Sequence, residues 1–320
     1  MNSLPVHVAV GVIQDADGRI LVSRRHVKQH QGGLWEFPGG KLEGNESVYE
    51  ALRRELREEL GIDVQRAVPF KLLDYQYEDK CVRLDVWRVL EFRGEPCGLE
   101  SQPITWRALG ELKEEDFPAA NHAIIAALHL PPLLAITPPS LTTSTLSKQF
   151  EHYAQQGVEL VQLRQPSLDE EDFVRLAKVA VCEAEKVGLR LVFNCGSQLF
   201  STLNTEFDAR RVGLHLNSSR LLTQLSRPVG SEVLLGASCH TLAELQHAEK
   251  IGVDYAMLSP VCELKHEDGT LLEWEGFAEL ARQVNLPIYA LGGVTRDDLK
   301  LAKQSGAIGI AGIREFSVSC

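Results

Sequence analysis

Eight short apolar runs recur between residues 133 and 312, with amphipathic stretches between them. They are "LLAIT" (133–137), "VELVQLR" (158–164), "LRLVFN" (189–194), "RVGLHL" (211–216), "VLLGAS" (233–238), "VDYAMLSP" (253–260), "LPIYALGG" (286–293) and "GAIGIAG" (306–312). Each has the length of a strand, and the intervals carry helical spacing. A parallel strand pair needs a crossover connection, and a helix commonly supplies it. Eight such units in series predict a closed (β/α)₈ TIM barrel. Only residues 313–320 follow the last run, so the eighth helix is expected to be truncated.

The first part of the chain does not share this rhythm. "VHVAVGVI" (6–13) and "ILVS" (20–23) read as strands flanking "QDADGR", where Asp17-Gly18 is a hairpin signal. "VRLDVWRVL" (82–90) alternates like another strand, and residues 121–129 read as a short helix. Pro131 and Pro132 then end that helix and mark a seam. We expect two domains, 1–130 and 131–320, because 320 residues exceed what one ordinary core supports.

Composition narrows the partners. A net charge of −11 argues against binding a nucleic-acid polymer, which calls for a basic surface. It leaves room for a nucleotide substrate, since bound cations reverse the local sign. Seven cysteines occur without a C-x-x-C pair, as in a reducing cytoplasm. "MNSLPVHVAV" lacks a signal-type pattern. "AIIAALHLPPLLAI" is too short and too interrupted to span a membrane. A cytoplasmic location is therefore expected. His26 and His30 stand four apart, but no further ligands at metal spacing accompany them, and a loop with ordinary histidines is expected.

The densest chemistry lies in "GGKLEGNESVYEALRRELREELGID" (39–63). Ser47 and Glu50 form a capping box, Gly61 suits a left-handed C-terminus, and a helix is predicted over about 48–60. Leu52, Leu56 and Leu60 make its buried stripe. Glu55, Glu58 and Glu59 share another face, where like charges repel. Arg54 reaches Glu50 and Glu58 but cannot neutralise the set. A hard cation with oxygen ligands would, and Mg²⁺ fits best. The bland alternative is a solvated acidic face. The glycine-rich entry "FPGGKLEG" argues against it, because Gly39 and Gly40 permit close backbone approach.

This stretch resembles the Nudix box, G-x5-E-x7-R-E-U-x-E-E-x-G-U with U bulky and aliphatic. Gly40, Glu46, Arg54, Glu55, Leu56, Glu58, Glu59, Gly61 and Ile62 match it without departure. The resemblance implies an α/β/α sandwich with a mixed sheet and hydrolysis of a nucleoside diphosphate linked to another group. It implies Mg²⁺, with Mn²⁺ as a substitute, held by Glu55, Glu58 and Glu59 with the Gly39 carbonyl. The proton acceptor stays open among Glu55, Glu46 and Glu100, and Arg54 is expected to orient glutamates.

Three further stretches are similar to the MutT subgroup, which removes 8-oxo-dGTP from the nucleotide pool and so serves DNA replication and repair. They are "ILVSRR" followed by "LWEFPGGK", "FRGEPCGLESQPITW" carrying Glu100 as a further metal residue, and "DFPAANHAII" carrying Asn121. The Asn121 amide offers both a donor and an acceptor to a purine edge, although it could instead cap the next helix. Phe37 is either a base contact or a core aromatic. Arg25 and Lys80 are candidates for phosphate or base, against a plain surface role.

The second part is similar to thiamine phosphate synthase and its TenI relatives over roughly 131–314, through "GVELVQLRQP", "YALGGVT" and "GAIGIAGI". The resemblance implies a phosphate cradle at Gly292, Gly293, Val294, Gly312 and Ile313, against a reading as tight turns. Gln162, Arg164, Asn194, His240 and Lys265 become candidate ligand contacts. The synthase pattern is broken, however. The family's Q-x-R-x-K ends in Pro166, its N-D-R has Cys195 at the aspartate, and Arg220 stands where its second aspartate falls. Synthesis by an Mg²⁺-assisted loss of pyrophosphate is therefore not expected.

The leading expectation is an Mg²⁺-dependent 8-oxo-dGTP diphosphatase, yielding 8-oxo-dGMP and diphosphate, joined to a barrel that binds a phosphorylated ligand. One alternative is a bifunctional thiamine-pathway protein whose first half hydrolyses a thiamine-related pyrophosphate. Another is a barrel that serves as a sensor or homodimerisation module.

Overall fold

The computed structural model describes residues 5–26, 31–77, 81–205, 207, 212–262 and 271–318. The chain divides into two compact units, Met1–Leu130 and Pro131–Cys320. Of the expected site residues, Lys80 and Lys265 lie outside the described residues, as does His30.

The first unit runs β1 (Val6–Ile13), β2 (Ile20–Arg24), β3 (Trp35–Glu36), β4 (Gly39–Lys41), α1 (Val48–Leu60), β5 (Asp63–Gln76), β6 (Cys81–Arg93), β7 (Ile104–Arg107) and α2 (His122–Leu128). One sheet has the order β4-β1-β6-β5 and is mixed: β1 and β6 are parallel, the other pairs antiparallel. A second sheet, β3-β2-β7, is antiparallel. The turn at Asp17-Gly18 forms as expected, with Gly18 at φ 82° and Asp15 accepting from Asp17 and Arg19. The hairpin does not continue. After one bridge from Gln14 to Ile20, β1 and β2 enter different sheets. A turn residue sets local geometry, but the partner of each strand is chosen by packing further along.

Helix α1 has the predicted bounds. Ser47 accepts from the Glu50 N–H, Glu50 accepts from the Ser47 N–H, and Gly61 closes the helix at φ 70°. Leu52, Leu56 and Leu60 are fully buried with Ala9, Ile13, Leu21 and Val89. This apolar stripe fixes the roll of α1, and so fixes where its glutamates point.

The second unit contains β8 (Leu133–Ile136), α3 (Thr143–Gln155), β9 (Leu160–Leu163), α4 (Glu170–Val187), β10 (Arg190–Asn194), α5 (Ser197–Asn204), β11 (Val212–Leu216), α6 (Ser218–Leu222), β12 (Leu235–Cys239), α7 (Leu242–Lys250), β13 (Tyr255–Leu258), α8 (Glu273–Ala281), β14 (Ile288–Leu291), α9 (Leu299–Gln304) and β15 (Gly309–Gly312). All eight strands are parallel and follow chain order around a closed barrel. β15 pairs with β8 to close it, Ile310 opposite Leu133 and Gly312 opposite Ala135. Leu133, Ala135, Val161, Leu163, Leu191 and Phe193 face the helices within one continuous core. Alternate residues point inward, among them Gln162, His215, Tyr255, Met257 and Tyr289, each at most 1 % exposed. Beyond β15 the described residues form only a turn.

Candidate functional site

Arg54 is the hub of the first site. It donates to Glu46 (2.6 Å), to Glu55 (2.8 Å), to Glu58 (3.2 Å) and to the Lys41 carbonyl (3.0 Å). One guanidinium thus ties the loop before α1, the helix itself and the glycine strand β4. Glu46 also accepts from the Glu43 N–H at 2.7 Å. The Arg54 hydrogen bond, followed by that N–H, holds its carboxyl below the usual range. Glu58 is largely exposed at its tip, with 56 % of the side chain open to solvent.

Glu55, besides its bond to Arg54, and Glu59 lie against the glycines. A Cβ on Gly40 would lie 2.1 Å from the Glu55 carboxyl carbon, so only glycine lets that carboxylate sit on the strand. Gly39, at φ 143°, donates its N–H to Glu59 at 3.2 Å. Burial raises the Glu55 carboxyl above its usual value, against the pull of Arg54. Glu59 is pushed up to about 8, first by burial and then by the nearby charges of Glu36, Glu55 and Glu100. Glu59 with Glu36, Glu55 and Glu100 in electrostatic reach of it makes four carboxylates, three of them partly desolvated, a donor set suited to a hard divalent cation. Among the described residues no three His, Cys, Asp or Glu side chains already stand in a closed metal cage. Here Glu55 and Glu58 are turned onto Arg54.

Glu100 is exposed beside the end of α1, in a segment pinned there by hydrogen bonds. The Leu99 N–H donates to the Glu59 carbonyl (2.9 Å), the Cys97 N–H to the Leu60 carbonyl (3.0 Å), and Gln102 Nε2 to the Glu59 carbonyl (2.9 Å). Glu36 was not singled out from the sequence. It pairs with Arg25 and lies within electrostatic reach of Glu59, so it links the two. Its only signal is its place in "LWEFPGG".

Asn121 is 8 % exposed and makes no side-chain cap bond to α2, which removes the capping role as the reason for its burial. Phe37 is 3 % exposed and stacks on Phe117, ring centroids 5.6 Å apart. That ring is a core aromatic whose face is already covered. Tyr77 interacts with the Ala120 backbone and with Arg25, which draws Arg25 and the start of α2 toward one region.

At the C-terminal mouth of the barrel, two cavities lie over different strands. One, of about 360 Å³, is bordered by Gly292, Gly293, Val294, Thr295, Gly312 and Ile313, which gathers the expected cradle residues. The other, of about 320 Å³, lies over β9–β11 and includes Arg164, Gln165, Asn194, Cys195 and Arg220. Asn194 donates to Gln162 (3.2 Å) and accepts from Arg220 (3.2 Å). His240 is placed apart from both, its Nδ1 against the Ser259 carbonyl (2.9 Å) and Ser259 Oγ (3.2 Å). His215, which the sequence did not single out, is buried between Tyr255 Oη (3.1 Å) and Ser238 Oγ (2.8 Å).

A parallel barrel and a glutamate-bearing helix on a mixed sheet define two recognisable classes. Residues 9–127 match the NUDIX domain model and residues 133–316 match that of thiamine monophosphate synthase. The chain belongs to the Nudix family through its first unit and to the thiamine monophosphate synthase family through its second. It is 41 % identical over 123 residues to an 8-oxo-dGTP diphosphatase of Escherichia coli (strain K12), covering 38 % of this chain and 95 % of that one. It is 31 % identical over 190 residues to "Putative thiamine-phosphate synthase 2" of Aquifex aeolicus (strain VF5), covering 59 % and 99 %. A CTP pyrophosphohydrolase of Escherichia coli (strain K12) is 39 % identical over 97 residues, covering 30 % and 72 %. The first unit is accordingly a Nudix hydrolase, a class that uses divalent cations and acts on nucleotides. No helix among the described residues is long and apolar enough to cross a membrane.

Proposed function

We propose that the first unit hydrolyses 8-oxo-dGTP to 8-oxo-dGMP and diphosphate, and so sanitises the nucleotide pool. The observation that carries the reading is the glutamate face of α1 gathered against Gly39 and Gly40, with Asn121 buried but not spent on capping. The similarity to an 8-oxo-dGTP diphosphatase along nearly its whole length supports the substrate. Glu55, Glu58 and Glu59, with the Gly39 carbonyl and Glu100, would hold Mg²⁺ or Mn²⁺. When bound, that cation neutralises the polyphosphate and acidifies a coordinated water. Arg54 keeps Glu55 and Glu58 oriented and limits their mutual repulsion. Of the three candidate bases, Glu46 is the poorest, because Arg54 holds its proton affinity down. The proton of the attacking water falls to Glu55 or Glu100, the two carboxylates that remain.

Asn121 would read the purine edge, since 8-oxoguanine carries a protonated N7 beside O6 and an amide can match both. Arg25, which pairs with Glu36, would meet phosphate or base. The test is hydrolysis of 8-oxo-dGTP, dGTP, CTP and thiamine diphosphate by the wild type and by Asn121→Ala. We expect 8-oxo-dGTP to be preferred, and Asn121→Ala to lower the 8-oxo-dGTP over dGTP ratio of kcat/KM roughly tenfold or more. Equal loss on both substrates would make Asn121 a scaffold residue. Preference for thiamine diphosphate would sink the reading.

For the second unit we propose binding of a phosphorylated small molecule at the cradle of Gly292, Gly293, Val294, Gly312 and Ile313, without thiamine phosphate synthesis. The support is the cavity over β14 and β15, where loops after the last two strands suit phosphate. Incubating the full chain with the aminopyrimidine pyrophosphate, the thiazole phosphate and Mg²⁺ should give no thiamine phosphate.

A further inference from the structure

We propose that the cavity over β9–β11 is a metal-independent site for a pyrophosphate or similar polyanion, in which the guanidinium of Arg220, with that of Arg164, stands in place of a divalent cation. It rests on the reading of the barrel as a binder of phosphorylated molecules, but on a different cavity from the glycine cradle.

The family's chemistry calls for Mg²⁺ here, and the donor set of this chain does not fit it. The wall presents Asn194, Cys195 and Arg220. Cys195 is 2 % exposed, and burial pushes its thiol up to about 12, so it stays protonated and offers no hard anionic ligand. Arg220 brings a fixed positive charge into the space a cation would use.

What the cavity does offer is anion recognition. Arg164 and Arg220 both border it, and neither pairs with a carboxylate among the described residues. Arg164 lies close enough to the buried His215 for its charge to act on that imidazole. Arg220 is oriented by Asn194 Oδ1 at 3.2 Å, and Asn194 is in turn fixed by Gln162, itself 1 % exposed. This chain of hydrogen bonds pre-sets one edge of the Arg220 fork and leaves donors for bidentate contact with phosphoryl oxygens. Asp169 and Glu170 also border the cavity. Asp169 is committed to capping α4, accepting from the Asp172 N–H at 2.8 Å. About 320 Å³ lies at the lower end of the roughly 300–1,000 Å³ typical of small-molecule sites, which suits a compact polyanion.

The test is calorimetric titration of the full chain with inorganic pyrophosphate in the presence of EDTA, which silences any metal-dependent site. Wild-type protein should bind, and added Mg²⁺ should make the binding no tighter. Arg220→Gln should weaken it tenfold or more, with Arg220→Lys intermediate because the charge stays and the fork is lost. Circular dichroism melts of each variant check that the barrel remains folded. Gly312→Asp, which places a carboxylate in the other cavity, should leave the EDTA-resistant binding in place. Absence of binding in EDTA, an absolute need for Mg²⁺, or full binding by Arg220→Gln would overturn the proposal. Loss in Gly312→Asp with retention in Arg220→Gln would move the anion to the glycine cradle and overturn it too.

Discussion

Single residues in this chain answer for opposing charges. Arg54 satisfies three glutamates at once, and Glu55→Gln and Glu58→Gln each remove a like charge as well as a proposed metal ligand. Both variants should lose nucleotide hydrolysis at saturating Mg²⁺ while the metal-free protein melts no lower than wild type. Unchanged turnover in both would remove them from the metal site. His215 gives a second residue-scale prediction. Burial, with the Arg164 charge adding, depresses its imidazole to about 3 from an ordinary 6.5. Between those values the unfolded chain binds a proton that the native chain does not. Stability from this group is therefore complete above about pH 6.5 and is lost as pH falls toward 3. An NMR titration that found this imidazole ionising near 6.5 in the folded protein would show the reasoning wrong. The Nudix glutamates were legible because their spacing on α1 is fixed by helix geometry. Glu36 and His215 were not, since each acquires its partner across a fold rather than along the chain, and Arg220 was legible only as a departure from the synthase pattern.

Elements show where local rules suffice and where they fail. The capping box and the left-handed Gly61 bound α1 as the sequence reading placed them. Ser47→Ala should cost about 1 kcal/mol, because the side-chain acceptor for an otherwise unpaired N–H disappears. Denaturation followed by tryptophan fluorescence reports it, since Trp35, Trp87 and Trp106 lie in the first unit. No change in midpoint would mean that packing of Leu52, Leu56 and Leu60 alone sets the helix. All eight barrel strands were legible, being short, apolar and regularly punctuated. The long strand β5 was not. Its register shifts between Val64 and Arg66, between Arg66 and Ala67, and between Pro69 and Lys71, which scrambles the two-residue alternation. Strand β4 read only as a glycine loop, and it becomes a strand because β1 supplies its partners.

At the scale of the molecule, each of the two compact units carries its own buried cluster, and two cooperative transitions are expected. The first centres on Leu52, Leu56 and Ile62, the second on the layer between barrel strands and helices. Scanning calorimetry should resolve two melting events, the barrel absorbing more heat as the larger unit. A single transition, coincident by fluorescence and calorimetry, would contradict independent cores. Closure of the barrel has a consequence for how the protein is made. The strand that completes the ring, Gly309–Gly312, pairs with Leu133–Ile136, so almost the entire unit must leave the ribosome before its first strand finds its second neighbour. Until then β8 and β14 each present an unpaired edge, the kind of surface on which nascent chains stick to one another. The first unit carries no such delay, for its last strand, Ile104–Arg107, pairs with β2 while the barrel is still being translated. Help from a chaperone during synthesis would thus be needed late and by the second unit alone.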